Sequence, residues 1–140
     1  MDADQLANRV AHEMLAAEGT GPVWGIHIEE ARAGYARLRM VLREDMLNGH
    51  GTAHGGMVFS LADTAFAYVC NGNNERTVAA QASIVFLGSA EVGETLIAEG
   101  EVLAEVGRSG VTRVTVRTDD GRPIAEFTGY SRTIGGAVLT

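Results

Sequence analysis

No stretch of the chain reaches the ~18 consecutive apolar residues of a membrane-spanning helix, and Met1-Asp2-Ala3-Asp4 places acidic side chains where a secretory leader carries basic ones. Neither a membrane span nor an export signal is read, and the cytoplasm is the expected location. The single cysteine, Cys70, cannot close an intrachain disulfide, which fits a reducing compartment. Positive charge is scarce: 11 basic against 18 acidic residues leave a formal net charge of -7. A field of that sign disfavours nucleic acid as a partner, and any polyanionic ligand has to find a local arginine cluster. Also missing are a Gly-x-Ser-x-Gly nucleophile elbow, a phosphate-binding loop, internal repeats and low-complexity tracts.

What is present fits one domain over residues 1–140, with 46% apolar and 21% charged side chains, large enough for a core and too small for two. Residues 1–21 read as an N-terminal helix and lead-in, with Leu6, Val10, Met14 and Leu15 at helical spacing and Gly19-Thr20-Gly21-Pro22 as the break. From Val23 to Leu42 apolar residues alternate, through Trp24, Ile26 and Ile28 and then Tyr35, Leu38, Met40 and Leu42, with Ala33-Gly34 between; this predicts a hairpin. A glycine-rich stretch, residues 48–56, precedes Met57 to Asn71, which has no proline or internal glycine and is apolar nearly all round. That pattern predicts a central helix buried on most faces. Four strand-like segments follow, roughly Thr77 to Leu87, Thr95 to Val106, Gly110 to Thr118 and Pro123 to Ile134, with Asp120-Gly121 as a strong hairpin signal. One long helix with about six mostly hairpin-connected strands gives an α+β class, an antiparallel sheet wrapped around the helix. A single curved sheet leaves part of so apolar a helix uncovered, so a homo-oligomer, a dimer or higher, is expected.

Asp63 is the most informative residue. It stands mid-helix among apolar neighbours, where a charge costs several kcal/mol unless compensated. The structural alternative is an aspartate bonded to Ser60, Thr64 or a facing backbone group; the functional one is a carboxylate with a shifted pKa. At the helix mouth, His54-Gly55-Gly56 supplies N–H groups without intrahelical partners, at the positive end of the macrodipole, and glycine lets a carbonyl approach closely. Two glycines alone could equally make a tight loop-to-helix junction. Gly55 and Asp63 lie eight positions apart, or about 12 Å along a helix, so one helix cannot bring both to one carbonyl carbon. If they act together, the mouth of one subunit meets Asp63 of another. His50 and His54 are four apart but separated by glycine, with no third ligand, so a metal is not expected; Cys70 reads as a small apolar residue.

The run Asn48-Gly49-His50-Gly51-Thr52-Ala53-His54-Gly55-Gly56, then Phe59-Ser60-Leu61-Ala62-Asp63-Thr64-Ala65-Phe66-Ala67, resembles the hotdog thioesterases of phenylacetate degradation. The likeness continues through Ser83-Ile84-Val85-Phe86-Leu87, Gly93-Glu94-Thr95-Leu96 and Gly129-Tyr130-Ser131-Arg132-Thr133-Ile134-Gly135-Gly136, and its most specific part is the Asn to His-Gly-Gly to Asp spacing. It implies the hotdog fold, dimers that pair into tetramers with active sites shared between subunits, and hydrolysis of acyl-CoA thioesters, typically phenylacetyl-CoA and ring-hydroxylated relatives. By position it implies Asp63 as nucleophile or general base, the Gly55 N–H on the thioester carbonyl, and Asn48 and His54 orienting water and substrate. Gly56, Thr64, Arg108 and Arg132 are candidates for the remaining substrate contacts, with Arg113 a further candidate for phosphate; each arginine is otherwise an ordinary solvated charge. Where many relatives carry Arg-Pro after Phe86-Leu87, this chain has Gly88-Ser89. The chemistry needs no metal or cofactor: a carboxylate facing a helix N-terminus supplies both the attacking oxygen and the oxyanion stabilisation. Two other readings remain at this level: a non-catalytic acyl-CoA-binding module, and a dehydratase or hydratase with His54 as the acid–base partner.

Overall fold

A computed structural model describes residues 1–140. Helix α1 spans Ala3–Ala17; Asp2 caps it, accepting from the Gln5 N–H at 2.9 Å while the Gln5 side chain returns a bond to the Asp2 N–H. The expected hairpin then departs from its predicted start. Val23 and Trp24 belong to a short helix α2, Thr20–Trp24, and strand β1 begins only at His27. Pro22 is tolerated within a first helical turn, and Gly25, at φ 69°, ends the helix in the left-handed conformation. Trp24, Ile26 and Ile28 thus alternate in sequence across two different elements.

Strands β1 (His27–Arg32) and β2 (Tyr35–Val41) form the hairpin, with Gly34 at φ 73° in its turn. A short 3-10 turn, Glu44–Met46, and the glycine-rich loop lead into α3, Gly55–Cys70, so both helix-mouth glycines lie inside the first turn. Strands β3 (Glu75–Phe86), β4 (Thr95–Val106), β5 (Ser109–Thr118) and β6 (Pro123–Ala137) complete one antiparallel sheet in the order β1-β2-β4-β5-β6-β3. The sheet curves around α3, the arrangement that the resemblance implies.

The core lies between α3 and the concave face. Leu38, Met40, Leu61, Phe66, Leu96, Val114 and Phe127 are almost wholly excluded from solvent. Phe66 leans on Phe127 with ring centroids 5.7 Å apart, and its edge lies over Gly129. The helix is less enclosed than its composition predicts. Gly56, Ser60, Asp63, Ala67 and Cys70 follow one helical stripe, and all keep some exposure because neither the sheet nor α1 reaches over them. The sheet edges differ in kind. β1 carries Glu29, Glu30 and Arg32, whereas β3 offers an open edge with no charge from Thr77 to Ser89.

A Cβ at Gly129 would stand 2.6–2.8 Å from three atoms of the Phe66 ring, which Phe127 holds from behind. Gly129→Ala should therefore overpack the core and cost about 1–3 kcal/mol. In urea unfolding, the midpoint falls while the slope stays unchanged.

Candidate active site

Asn48 organises the loop before α3. Its Oδ1 accepts the backbone N–H groups of His50 (2.9 Å) and Thr52 (3.2 Å), and its Nδ2 donates to Thr52 Oγ1 (3.1 Å) and the Ala53 carbonyl (3.4 Å). Gly51, at φ 80°, makes the reversal possible. The loop is anchored at its far end, where the Ala53 N–H reaches the Ala90 carbonyl at 2.8 Å and the His54 N–H reaches the Met46 carbonyl at 2.9 Å.

His54 is the N-cap of α3. Its Nδ1 accepts the Gly56 N–H at 2.8 Å, which leaves the neutral ring's proton on Nε2, and its carbonyl receives the N–H groups of Met57 and Val58. The Gly55 N–H has no partner within the chain. The helix mouth therefore retains a single unengaged donor, and it belongs to the residue that the resemblance singles out.

Asp63 lies on the uncovered stripe, two turns along from Gly56, half-buried, with no hydrogen bond and no ion pair. The hydroxyls that could have held it point elsewhere: Ser60 Oγ donates to the Gly56 carbonyl and Thr64 Oγ1 to the Ser60 carbonyl, both at 2.7 Å. Burial raises the Asp63 pKa above the ordinary aspartate value. A second carboxylate senses it. Glu18, the C-cap of α1, takes a hydrogen bond from the Tyr68 phenol, and burial together with the charge of Asp63 pushes its pKa up. Two acids with no cation between them make this side of α3 a place of unbalanced negative charge. Sequence reading missed Glu18, Tyr68 and their proximity to Asp63, because the 50 residues between the hydrogen-bonded pair leave no local pattern.

The structure separates the remaining candidates. Arg108, in the β4–β5 turn, and Arg132, on β6, are exposed and free of carboxylates, with Arg132 Nη1 donating to Ser109 Oγ at 3.4 Å. Arg113 is engaged by both oxygens of Glu126 at 3.1 Å. Arg108 lines a cleft with Cys70 and Asn73, so it stands at the C-terminal end of α3, roughly 20 Å along the helix from Gly55. The largest cleft, about 480 Å³, also contains Arg108, with Asn74, Gly135 and Gly136 among its walls. Five clefts of the single chain, from about 60 to about 480 Å³, include neither Asp63 nor Gly55. Gly88 has a local reason: a side chain there would meet the Pro123 carbonyl at 2.6 Å.

A six-stranded antiparallel sheet around a helix that carries an unpaired aspartate and a free N-terminal N–H defines the hotdog class of thioester hydrolases. Comparison with known proteins places the chain within it: residues 50–125 match the thioesterase superfamily, and the chain belongs to that family. It is 38% identical to the acyl-coenzyme A thioesterase PaaI of Escherichia coli over 91% of both chains. The solved structure of the E. coli PaaI protein from the phenylacetic acid degradation operon superposes with a TM-score of 0.95 at 36% identity, covering 97% of this chain and 99% of that one. A hypothetical thioesterase protein from Streptococcus pneumoniae, solved with coenzyme A, superposes with a TM-score of 0.77 at 26% identity over 80% of this chain and 90% of that one. The chain is a thioester hydrolase of the hotdog fold.

A carboxyl whose pKa is higher folded than unfolded favours folding only when protonated, so stability falls as pH rises from the unfolded value of 3.8 through the folded one. Above that window the charged Asp63 opposes folding in full. Asp63→Asn should accordingly melt at a higher temperature than the parent at neutral pH, and the difference should shrink as pH is lowered towards 3.8. Paired thermal melts at low and neutral pH check the sign.

Proposed function

We propose that this hydrolase cleaves acyl-CoA thioesters of medium-sized, aromatic acids, of phenylacetyl or hydroxyphenylacetyl type, to the free acid and CoA. The observation that carries the reading is Asp63: a half-buried carboxylate without internal partners, on the one stripe of α3 that the chain leaves uncovered. The naming of the E. coli relative as an acyl-coenzyme A thioesterase, the operon of its solved counterpart and the coenzyme A bound to the streptococcal protein support the substrate class. Ala67 and Cys70 beside Asp63, with Met57 and Phe59 half-buried nearby, offer an apolar surface for an acyl group.

In the reaction, the oxygen of water joins the thioester carbon, the carbon–sulfur bond breaks, and the sulfur leaves as the thiol with a proton. Asp63 either draws the proton from water or attacks first to form an anhydride that water opens. The Gly55 N–H, at the positive end of α3, donates to the carbonyl oxygen as negative charge grows there. Asn48 acts through the loop that it shapes, since its amide is engaged within residues 48–53. His54 holds the first turn through Nδ1 and turns Nε2 outward to water and substrate. Because the Gly56 N–H and the Thr64 hydroxyl are already taken, these two residues serve as walls. The single ring nitrogen left on His54 weighs against an acid–base pair for dehydration.

The site closes between chains. Pairing of two uncharged β3 edges about a two-fold axis lays two α3 helices antiparallel, so the mouth of one meets the later half of the other. Asp63, Arg108 and Arg132 of one protomer then share a site with Gly55 of its partner, and the arginines face the phosphates of CoA. Dimers pair further into tetramers, and the single cysteine accords with a cytoplasmic location.

Thiol release across a panel of aromatic and aliphatic acyl-CoAs tests the reading. Asp63→Asn should lose about 10²- to 10⁴-fold in kcat with the oligomer intact, and an aliphatic preference would remove the aromatic part. In the parent, kcat/KM should fall on the acid side at a pH above the ordinary aspartate range, because only the ionised Asp63 works and burial has raised its pKa.

A further inference from the structure

Gly55, whose N–H is free at the mouth of α3, has one close side-chain neighbour. The ring of Phe86, the last residue of β3, points tip-first at Gly55: a Cβ built there would lie 3.1 Å from Phe86 Cζ, 3.4 Å from Cε1 and 3.7 Å from Cε2. The ring tip therefore borders the space that a side chain at position 55 would take. Glycine in the first turn carries a penalty in helix propensity, and any larger residue there would have to move the ring tip by a few tenths of an ångström.

Core packing does not explain the arrangement from the side of Phe86. The residue is 52% exposed, between Val85 at 58% and Leu87 at 56%, so its ring buries little of itself against the domain. Its tip is the end that approaches Gly55. Of the first N–H groups of α3, Gly56 is capped by His54 and Met57 and Val58 bond to the His54 carbonyl, so the N–H of the residue that the ring approaches is the one that a substrate oxygen can take.

We propose that Phe86 is a positioning residue of the Asp63–Gly55 site, its ring shielding the Gly55 N–H from water on the side away from the substrate. The inference rests on Gly55 being the donor to the thioester oxygen. A donor acts more strongly on a developing charge when water does not compete for it and the surroundings are apolar. The ground-state carbonyl carries little charge and gains little from the shield, so the effect falls on kcat more than on KM. Apolar bulk is what the position needs. Leucine keeps much of the cover, and alanine keeps none.

Phe86→Ala, Phe86→Leu, Gly55→Ala and the double variant Gly55→Ala/Phe86→Ala are compared with the parent by thiol release from phenylacetyl-CoA and from the best substrate of the panel. Circular dichroism and sedimentation confirm fold and assembly for each. Phe86→Ala should lower kcat about tenfold or more with KM moving less than about threefold, and Phe86→Leu should stay within about threefold of the parent. Gly55→Ala moves the ring tip aside by a few tenths of an ångström and loses part of the same cover; once the ring is gone the methyl displaces nothing, so the two losses do not multiply. Parental kcat in Phe86→Ala, a loss confined to KM, or losses that multiply would overturn the shielding role. So would a kcat restored merely by concentrating the protein, which marks an interface residue. Asp63→Asn run alongside separates the two levels. If it is inactive while Phe86→Ala is unimpaired, only the role of Phe86 falls; if it turns over normally, the site reading falls, and the role of Phe86 with it.

Discussion

A negative charge on the helix that also forms the core is the constraint around which this domain is built. α3 has to present Leu61, Ala65, Phe66 and Val69 to the sheet while holding Asp63 where its charge finds no internal hydrogen bond. The conflict is resolved by geometry, since a sheet curved around a helix covers it only part of the way round. The stripe from Gly56 to Cys70 is what the curve leaves, and Asp63 falls on it. Small residues fill the rest of the stripe, which keeps the helix approachable at the position where a charge is least costly. Glu18 adds to the strain: a second acid near the first deepens the local negative potential, and the Tyr68 phenol is the one group that offsets it.

The same helix is organised differently at its two ends. At the N-terminus, backbone donors are assigned one by one, to His54 Nδ1 and to the His54 carbonyl, until the Gly55 N–H alone is free. At the C-terminus, Asn71 ties the chain to β3 through the backbone of Thr77, with its Oδ1 accepting at 2.9 Å and its Nδ2 donating at 3.0 Å. A fixed donor at one end and a fixed acid in the middle are both products of rigid elements rather than of mobile loops. For transition-state stabilisation, that rigidity matters more than the strength of any one bond.

Much of this was readable from local chemistry. The glycine-rich run announces a helix mouth, the proline-free apolar segment after it announces a buried helix, and an aspartate in the middle of that segment stands out because nothing in folding calls for it. Asp120-Gly121 marks the β5–β6 hairpin, with Gly121 at φ 92°. What was not legible depends on contacts between distant residues or on a single dihedral. Alternation cannot distinguish a strand from a short helix followed by a strand when one left-handed glycine, Gly25, resets the phase. The placement of β3 beside β6 at the sheet edge follows from the passage of α3 across the sheet, and no residue of β3 announces it. Asn48 and His54 stood out as candidates, but not that their polar atoms are largely engaged in shaping the loop and capping the helix.

The distinction between shaping and touching bears on how such a site tolerates change. Residues whose polar atoms are satisfied within the chain, such as Asn48, Thr64 and Ser60, are constrained by the fold before any substrate arrives. Those left unsatisfied, the Asp63 carboxylate and the Gly55 N–H, are constrained only by what binds. A domain selected for stability alone would neutralise the first, since an apolar residue at 63 would stabilise α3; the N-cap His54 already serves Gly56, and an N-cap side chain does not reach the N–H next to it. Both remain open, at opposite ends of one eight-residue interval, and this is what the proposed site, shared between two chains, draws on. The same interval, too long for one carbonyl to bridge, argues that completion comes from a second copy of the helix.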